Sequence, residues 1–261
     1  MEKAERIRQR LRAGEHILGG HVFFNDPAIT ETMGFHGYEF VWIDAEHGAF
    51  PLDSIQLHIS AAEAAGTASL VRVAANDPVL LKPVLDMGPD GIIVPMVLTA
   101  QEAEAFVQAC AYPPHGIRGF GPRRANRYGA IDAKAYTQQA HRRTLRILQI
   151  EHIQAVENLE AILRVPGIDL IIVGPNDLSS SLGHLCDTRH PDMMPVYDRI
   201  ARTCKAEGMP FGVSLGPSDM QSVREWLARG ARLIGCGDDI SYISMGMQKT
   251  LTDIRASIDS L

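Results

Sequence analysis

The sequence predicts a (β/α)8 TIM barrel forming a single domain over residues 1–261, with an extra helix before it and another after it. Eight short apolar runs alternate with segments whose apolar residues recur at intervals of three and four. Several runs, such as Ile92-Ile-Val94 and Leu170-Ile-Ile-Val173, are apolar throughout, the pattern of parallel strands buried on both faces. A length of 261 residues suits eight such units. The rival is a doubly wound dinucleotide-binding sheet, but no G-x-G-x-x-G follows the first run. Gly19-Gly20 lies inside that run, and Gly119-Phe-Gly121 opens a basic loop.

Taken in chain order, Met1 to Ala13 reads as an amphipathic helix covering the barrel floor. Strands are expected at Ile17–Phe24, Glu39–Ile43, Ala68–Val73, Gly91–Val94, Leu145–Ile150, Asp169–Val173, Pro210–Val213 and Arg232–Ile234. Helical spacing marks Pro51–Ala65, Pro78–Met87, Ala100–Ala111, Ile153–Arg164, Met194–Glu207 and Ser218–Ala228. Tyr112 to Ala140 is the longest segment without periodicity, a length that points to a functional reason.

Composition narrows the class. The chain is 46% hydrophobic and 21% charged, which excludes a disordered polymer. A net charge of −6 argues against nucleic acid as the main partner. The longest apolar stretch, Gly91 to Leu98, is interrupted by Pro95 and falls far short of a membrane span. The N-terminal residues lack the apolar core of a signal peptide, so a cytoplasmic protein is expected. Cys110, Cys186, Cys204 and Cys236 lie far apart, with no disulfide or zinc pattern.

In such a barrel, chemistry belongs at the C-terminal ends of the strands. Four ends carry polar groups: Ile43-Asp-Ala-Glu-His-Gly48, Val71-Arg72-Val73, Leu148-Gln-Ile-Glu-His152 and Gly174-Pro-Asn-Asp177. Polar groups there cost desolvation unless they bind something. Glu151 and Asp177 sit one β/α unit apart at the same end of neighbouring strands. Either they share a divalent cation with octahedral oxygen ligands, or each caps the helix that follows. Arg72 ends a buried strand and meets either an anionic ligand or the carboxylates of Asp44 or Glu46. His47 is either a general base at a strand–loop junction or a structural histidine. Asp86, on the helix after the third strand, either orients a histidine or is solvated. The arginines between Gly119 and Arg127 either attract an anionic substrate or form an ordinary surface.

Two absences narrow the chemistry. Lys3, Lys82, Lys134, Lys205 and Lys249 all lie away from strand ends, which disfavours a Schiff-base aldolase. Gly212-Val-Ser-Leu-Gly216 matches a hydrolase nucleophile elbow, but no histidine follows it.

The motifs Ile43-Asp-Ala-Glu-His-Gly48, Tyr112-Pro-Pro-His-Gly-Ile-Arg-Gly119, Gln149-Ile-Glu151 and Gly174-Pro-Asn-Asp-Leu-Ser179 resemble those of the metal-dependent (class II) pyruvate aldolases. These are the 2-dehydro-3-deoxyglucarate and 4-hydroxy-2-oxoheptanedioate aldolases, with macrophomate synthase an outlying relative. The resemblance runs from Leu11 to Tyr242. It implies an enzyme, a carbon–carbon lyase of aromatic or sugar-acid catabolism, that reversibly cleaves a 4-hydroxy-2-oxo acid to pyruvate and an aldehyde through an enolate at the metal. The implied cofactor is Mg²⁺, Mn²⁺ or Co²⁺, with no pyridoxal phosphate and no nicotinamide. Glu151 and Asp177 match the metal ligands. Arg72 and Gln149 match the residues holding pyruvate, assisted by backbone amides near Asn176. His47 matches the catalytic histidine, Asp86 its partner, and Asp44 a further acidic position.

By the same resemblance, the last helix, Ile243 to Leu261, is exchanged between protomers in a homohexamer, a trimer of dimers, and Asp86 acts across a subunit boundary. Asn176 and Ser214 depart from the family pattern of small and apolar residues, which bears on the substrate. The alternatives are a decarboxylase or synthase of oxaloacetate using the same metal site, and a non-catalytic barrel.

Overall fold

Strands that are apolar on both faces need cover on both, and the chain provides it by closing its sheet on itself. The computed structural model describes residues 2–217 and 219–261. Eight parallel strands form a closed barrel in chain order: β1 (Ile17–Val22), β2 (Phe40–Asp44), β3 (Ala68–Arg72), β4 (Gly91–Val94), β5 (Leu145–Ile150), β6 (Leu170–Val173), β7 (Phe211–Leu215) and β8 (Leu233–Asp238). The helices are α1 (Lys3–Arg12), α2 (Ala28–Phe35), α3 (Leu52–Ala64), α4 (Pro78–Met87), α5 (Ala100–Cys110), α6 (Ala133–Arg143), α7 (Ile153–Glu157), α8 (Leu159–Leu163), α9 (Pro175–Ser181), α10 (Met193–Glu207), α11 (Met220–Arg229) and α12 (Asp239–Asp259).

Two apolar layers follow from this closure. Outward-facing residues such as Val71, Ile92, Leu148 and Ile171 pack against the surrounding helices. Inward-facing residues such as Phe40, Trp42, Leu70, Ile147 and Ile172 fill the barrel and meet Ala4, Ile7 and Leu11 of α1, the floor helix. Arg8 fastens α1 there. It donates to both carboxylate oxygens of Asp169, at 2.8 and 3.2 Å, and to the carbonyls of Arg142 and Thr144, at 2.7 Å each.

The structure departs from the sequence reading in several places, the first strand among them, which ends at Val22 rather than Phe24. Residues 133–143, expected as loop, form α6, started by the Asp132 side chain accepting from the Ala135 N–H; only Tyr136 and Ala140 are buried, too few to show a period. The short helix α2 was not anticipated, because it buries only Thr30 and Met33. The expected helix over Ile153–Arg164 breaks at Asn158, whose side chain donates to the Leu98 carbonyl. Strand β8 runs past Ile234 to Asp238, because its glycines let it continue along the barrel without apolar side chains. Met1 and Ser218, the expected first residues of two helices, lie outside the described residues. Among the described residues no helix is long and apolar enough to cross a membrane.

Arg8→Ala should destabilise the protein by about 2–4 kcal/mol, because among the described residues it leaves the buried Asp169 only Arg146 as a cation. Chemical denaturation checks this, and a loss below about 0.5 kcal/mol would show that the floor contact is ornamental.

Candidate active site

The strand ends converge on one buried ion pair. Asp44, at the end of β2, has no exposed surface. Its carboxylate accepts from Arg72 Nε at 3.2 Å, from Arg72 Nη2, and from the backbone N–H groups of Glu46 and His47 at 3.1 Å each. Burial pushes this carboxyl up, but the hydrogen bonds and charge of Arg72 outweigh it and hold the group below the ordinary carboxylate range. The Asp44 carboxylate is thus bonded entirely within the chain. It aims Arg72 and shapes the turn that carries His47.

From Arg72 the network crosses the barrel. Nη1 donates to Gln149 Oε1 at 3.2 Å, and Gln149 Nε2 donates to Glu151 Oε2. The other Glu151 oxygen accepts from the Met96 N–H at 2.8 Å. Met96 follows β4 with φ of 53°, a left-handed conformation costing a non-glycine residue about 1–2 kcal/mol. That conformation aims its N–H at the carboxylate. Gly174, after β6, supplies the remaining space: a Cβ there would lie 2.6 Å from Glu151 Oε2 and 3.0 Å from Gln149 Nε2.

Glu151 is 3% exposed. Its carboxyl is pushed up to about 7, first by burial and then by the charges of Asp177 and Glu46, against the Met96 N–H. Glu46 is likewise raised by burial. Arg72 Nη1 approaches Glu46 Oε2 to 2.9 Å but out of line, so that buried oxygen has no hydrogen-bond partner. A carboxyl raised first by burial and then by two acidic neighbours, beside an unpartnered carboxylate oxygen, is a donor set suited to a divalent cation. Glu151 and Asp177 fit such an ion. Asp177 stands exposed in the first turn of α9, where its side chain caps nothing.

The remaining expected residues divide. His47 is 63% exposed at the mouth, with Nε2 3.9 Å from Glu46 Oε2, beyond hydrogen-bond reach. Asp86 does not meet His47 in this chain. It accepts from Arg118 Nη2 at 2.9 Å, and that guanidinium lies over the Tyr112 ring at 4.5 Å. Of the loop arginines, Arg124 is pinned by bonds to Glu63, Ser60 and the Met87 carbonyl, while Arg123 and Arg127 are exposed. Asn176 is exposed beside Asp177. Ser214 Oγ lies 3.2 Å from His21 Nε2.

Sequence reasoning missed His21, Met96 and Gly174 as site residues and gave Glu46 only as an alternative partner of Arg72. His21 carried a signal: it follows Ile17 and Gly19 at strand period and so faces inward at a strand end. Gly174 and Met96 carried none, because their parts depend on close approach and backbone conformation.

Residues 20–244 match the HpcH/HpaI aldolase/citrate lyase family. The chain is 37% identical over 239 residues to a 2-dehydro-3,6-dideoxy-6-sulfogluconate aldolase of Pseudomonas putida, covering 91% of this chain and 92% of that one. It is 34% identical over 245 residues to a 5-keto-4-deoxy-D-glucarate aldolase of Shigella dysenteriae, covering 94% of each. An HpcH/HpaI aldolase/citrate lyase family protein from Burkholderia cenocepacia superposes with a TM-score of 0.90 at 30% identity, covering 96% of this chain and 99% of that one.

In metal-free protein, Glu151 binds its proton more tightly when folded, so stability falls as pH rises from the ordinary glutamate range to about 7. Glu151→Gln removes that penalty. At pH 8 in chelator its Tm should exceed wild type by a few degrees, while added Mn²⁺ should raise only the wild-type Tm. A Tm gain with Mn²⁺ in Glu151→Gln equal to that of wild type would remove Glu151 from the metal site.

Proposed function

The chain belongs to the HpcH/HpaI aldolase/citrate lyase family, and from that premise we propose that its strand-end network cleaves a 4-hydroxy-2-oxo acid to pyruvate and an aldehyde. It is an enzyme, a carbon–carbon lyase acting on a small molecule. The observation that carries the reading is the continuous array Asp44–Arg72–Gln149–Glu151, which sets a cation site and an anion-binding guanidinium side by side. The relatives named above act on a sugar-acid and a sulfo-sugar-acid substrate, and the substrate proposed here is a 2-oxo acid of that general kind.

Glu151 and Asp177 would hold Mg²⁺, Mn²⁺ or Co²⁺, which supplies Lewis-acid polarisation of the 2-oxo group. Arg72 acts where charge develops. A guanidinium has five N–H donors and three of these are bonded to Asp44 and Gln149, which leaves donors for the substrate's oxygens. His47 accepts the proton of the 4-hydroxyl at the open mouth. As the C3–C4 bond breaks, the 4-oxygen becomes the aldehyde carbonyl and the bonding pair passes into the enolate, whose oxygen Arg72 stabilises. Protonation at C3 completes pyruvate. Gln149 keeps Arg72 and Glu151 in register, and Asn176 lines the mouth.

The assembly we propose is a homohexamer, a trimer of dimers. Beyond its first turn α12 carries Ile243, Met247, Leu251, Ile254 and Ile258, all exposed and spaced at four, four, three and four, a stripe suited to exchange with another copy. Such packing is also the route by which Asp86 of one protomer would reach His47 of another. One catalytic domain in a cytoplasmic setting fits the four free cysteines.

His47→Ala should slow cleavage of 4-hydroxy-2-oxo acids by ~10²-fold or more while leaving oxaloacetate decarboxylation and the exchange of pyruvate's methyl protons largely intact. EDTA should abolish all three, and Mn²⁺ should restore them. Equal cleavage rates in wild type and His47→Ala would contradict the base assignment and favour the decarboxylase reading.

A further inference from the structure

A cavity of about 590 Å³ opens away from the barrel mouth, between the end of α5, helix α6 and the turn that enters β6. Pockets that hold small organic molecules run from roughly 300 to 1,000 Å³. The cavity belongs to the floor end of the barrel. Arg146 on its wall is the second residue of β5, five positions and about 16 Å of strand from Glu151. The cleavage chemistry uses none of its residues.

Its walls and its charges differ in kind. Val107, Ala140, the Tyr112 ring and the rings of Pro113 and Pro114 make flat apolar surfaces. Beside them stand His115 and His141, both exposed, and the half-buried Arg146. Among the described residues no Asp or Glu lines the cavity. Burial and the charges of Arg142, Arg146, Arg8 and His115 hold His141 below the ordinary histidine value, so the charges acting on that imidazole are cationic.

Arg146 also has donors to spare. Its Nε donates to Asp169 Oδ2 at 3.4 Å, and Arg8 already bonds both oxygens of that carboxylate. Among the described residues neither terminal nitrogen of Arg146 has a hydrogen-bond partner. Gly167 keeps that end of the guanidinium uncovered. It adopts φ of 102°, and a Cβ there would lie 2.9 Å from Val107 Cγ1 and 3.4 Å from Arg146 Nη1. The two terminal nitrogens of a guanidinium form a planar pair of donors that matches the two oxygens of a carboxylate.

We propose that this cavity is a binding site for an organic carboxylate with a flat apolar body, the carboxylate on Arg146 and the body against Tyr112, Pro113 and Pro114. The site is separate from the strand-end network, and neither depends on the other. A small carboxylate lacks the body and a neutral aromatic lacks the charge, so each alone binds weakly.

The test is isothermal titration calorimetry of the full chain at pH 7 with 2-naphthoate, beside 2-naphthamide as its uncharged analogue and acetate as a carboxylate without the body. One 2-naphthoate should bind per chain, with 2-naphthamide and acetate each at least tenfold weaker. Neither saturating pyruvate with Mn²⁺ nor Arg72→Lys should change that affinity, which separates the cavity from the guanidinium at the mouth. Arg146→Gln should weaken 2-naphthoate at least tenfold. Because Arg146 also meets Asp169, Thr137→Trp serves as the second variant. Thr137 lines the same cavity from α6, so a ring there fills it with the ion pair intact, and binding should be lost while Tm stays within a few degrees of wild type. No binding to wild type overturns the site. So does binding that pyruvate displaces, that 2-naphthamide matches, or that persists in folded Thr137→Trp.

Discussion

The site depends on one buried ion pair. A guanidinium cannot shed its charge, so placing Arg72 at the end of a buried strand requires a carboxylate with no competing exposure, and Asp44 is that group. Removing either partner would leave an uncompensated charge inside the barrel. Because the pair is held by bonds on two sides of the Asp44 carboxylate, Arg72 has one direction in which to offer its remaining donors. Gln149 and Glu151 take their orientation from it in turn, and the turn bearing His47 hangs on the same Asp44 oxygens. On the proposed function, these ground-state contacts arrange groups whose work would be done when charge moves onto the substrate.

A second constraint is crowding. Glu151 reaches its position only because Gly174 has no side chain and Met96 accepts a left-handed backbone. Both costs are local and structural, and both keep an acid buried among other acids. In isolation that arrangement is unfavourable, as the raised Glu151 carboxyl shows. A cation held there would relieve it, so stability given up in the metal-free fold would become affinity for the ion.

Much of this was legible in the sequence because parallel barrel strands advertise themselves twice. Their apolar runs mark the elements, and any polar residue ending such a run stands out. Asp44, Arg72, Gln149, Glu151 and Asp177 were all found by that rule, and the pairing of Arg72 with an acid was one of the two alternatives it left open. What the rule misses is geometry without a distinctive residue type. Gly174 reads as an ordinary glycine after a strand, and Met96 as an apolar residue after a proline. His21 went unread because the expected first strand ran on to Phe24, which moved the strand end past it. Helix α6 was hidden for a related reason: a helix that buries two residues has no stripe to detect. The expected contact between His47 and Asp86 is not made within one chain, where Arg118 takes Asp86 instead.

The measurement that bears most directly on the central pair is the exchange of pyruvate's methyl protons in D₂O, followed by NMR, in Arg72→Lys protein loaded with Mn²⁺. This step makes the enolate without breaking a carbon–carbon bond, so it isolates the charge that Arg72 is held to meet. Lysine keeps the positive charge but cannot bond Asp44 on two sides and still face Gln149 and the substrate. Exchange should fall ~10²–10³-fold with Mn²⁺ affinity retained. A lysine variant exchanging within a few-fold of wild type would contradict the role given to the guanidinium and reduce the Asp44–Arg72 pair to a structural contact.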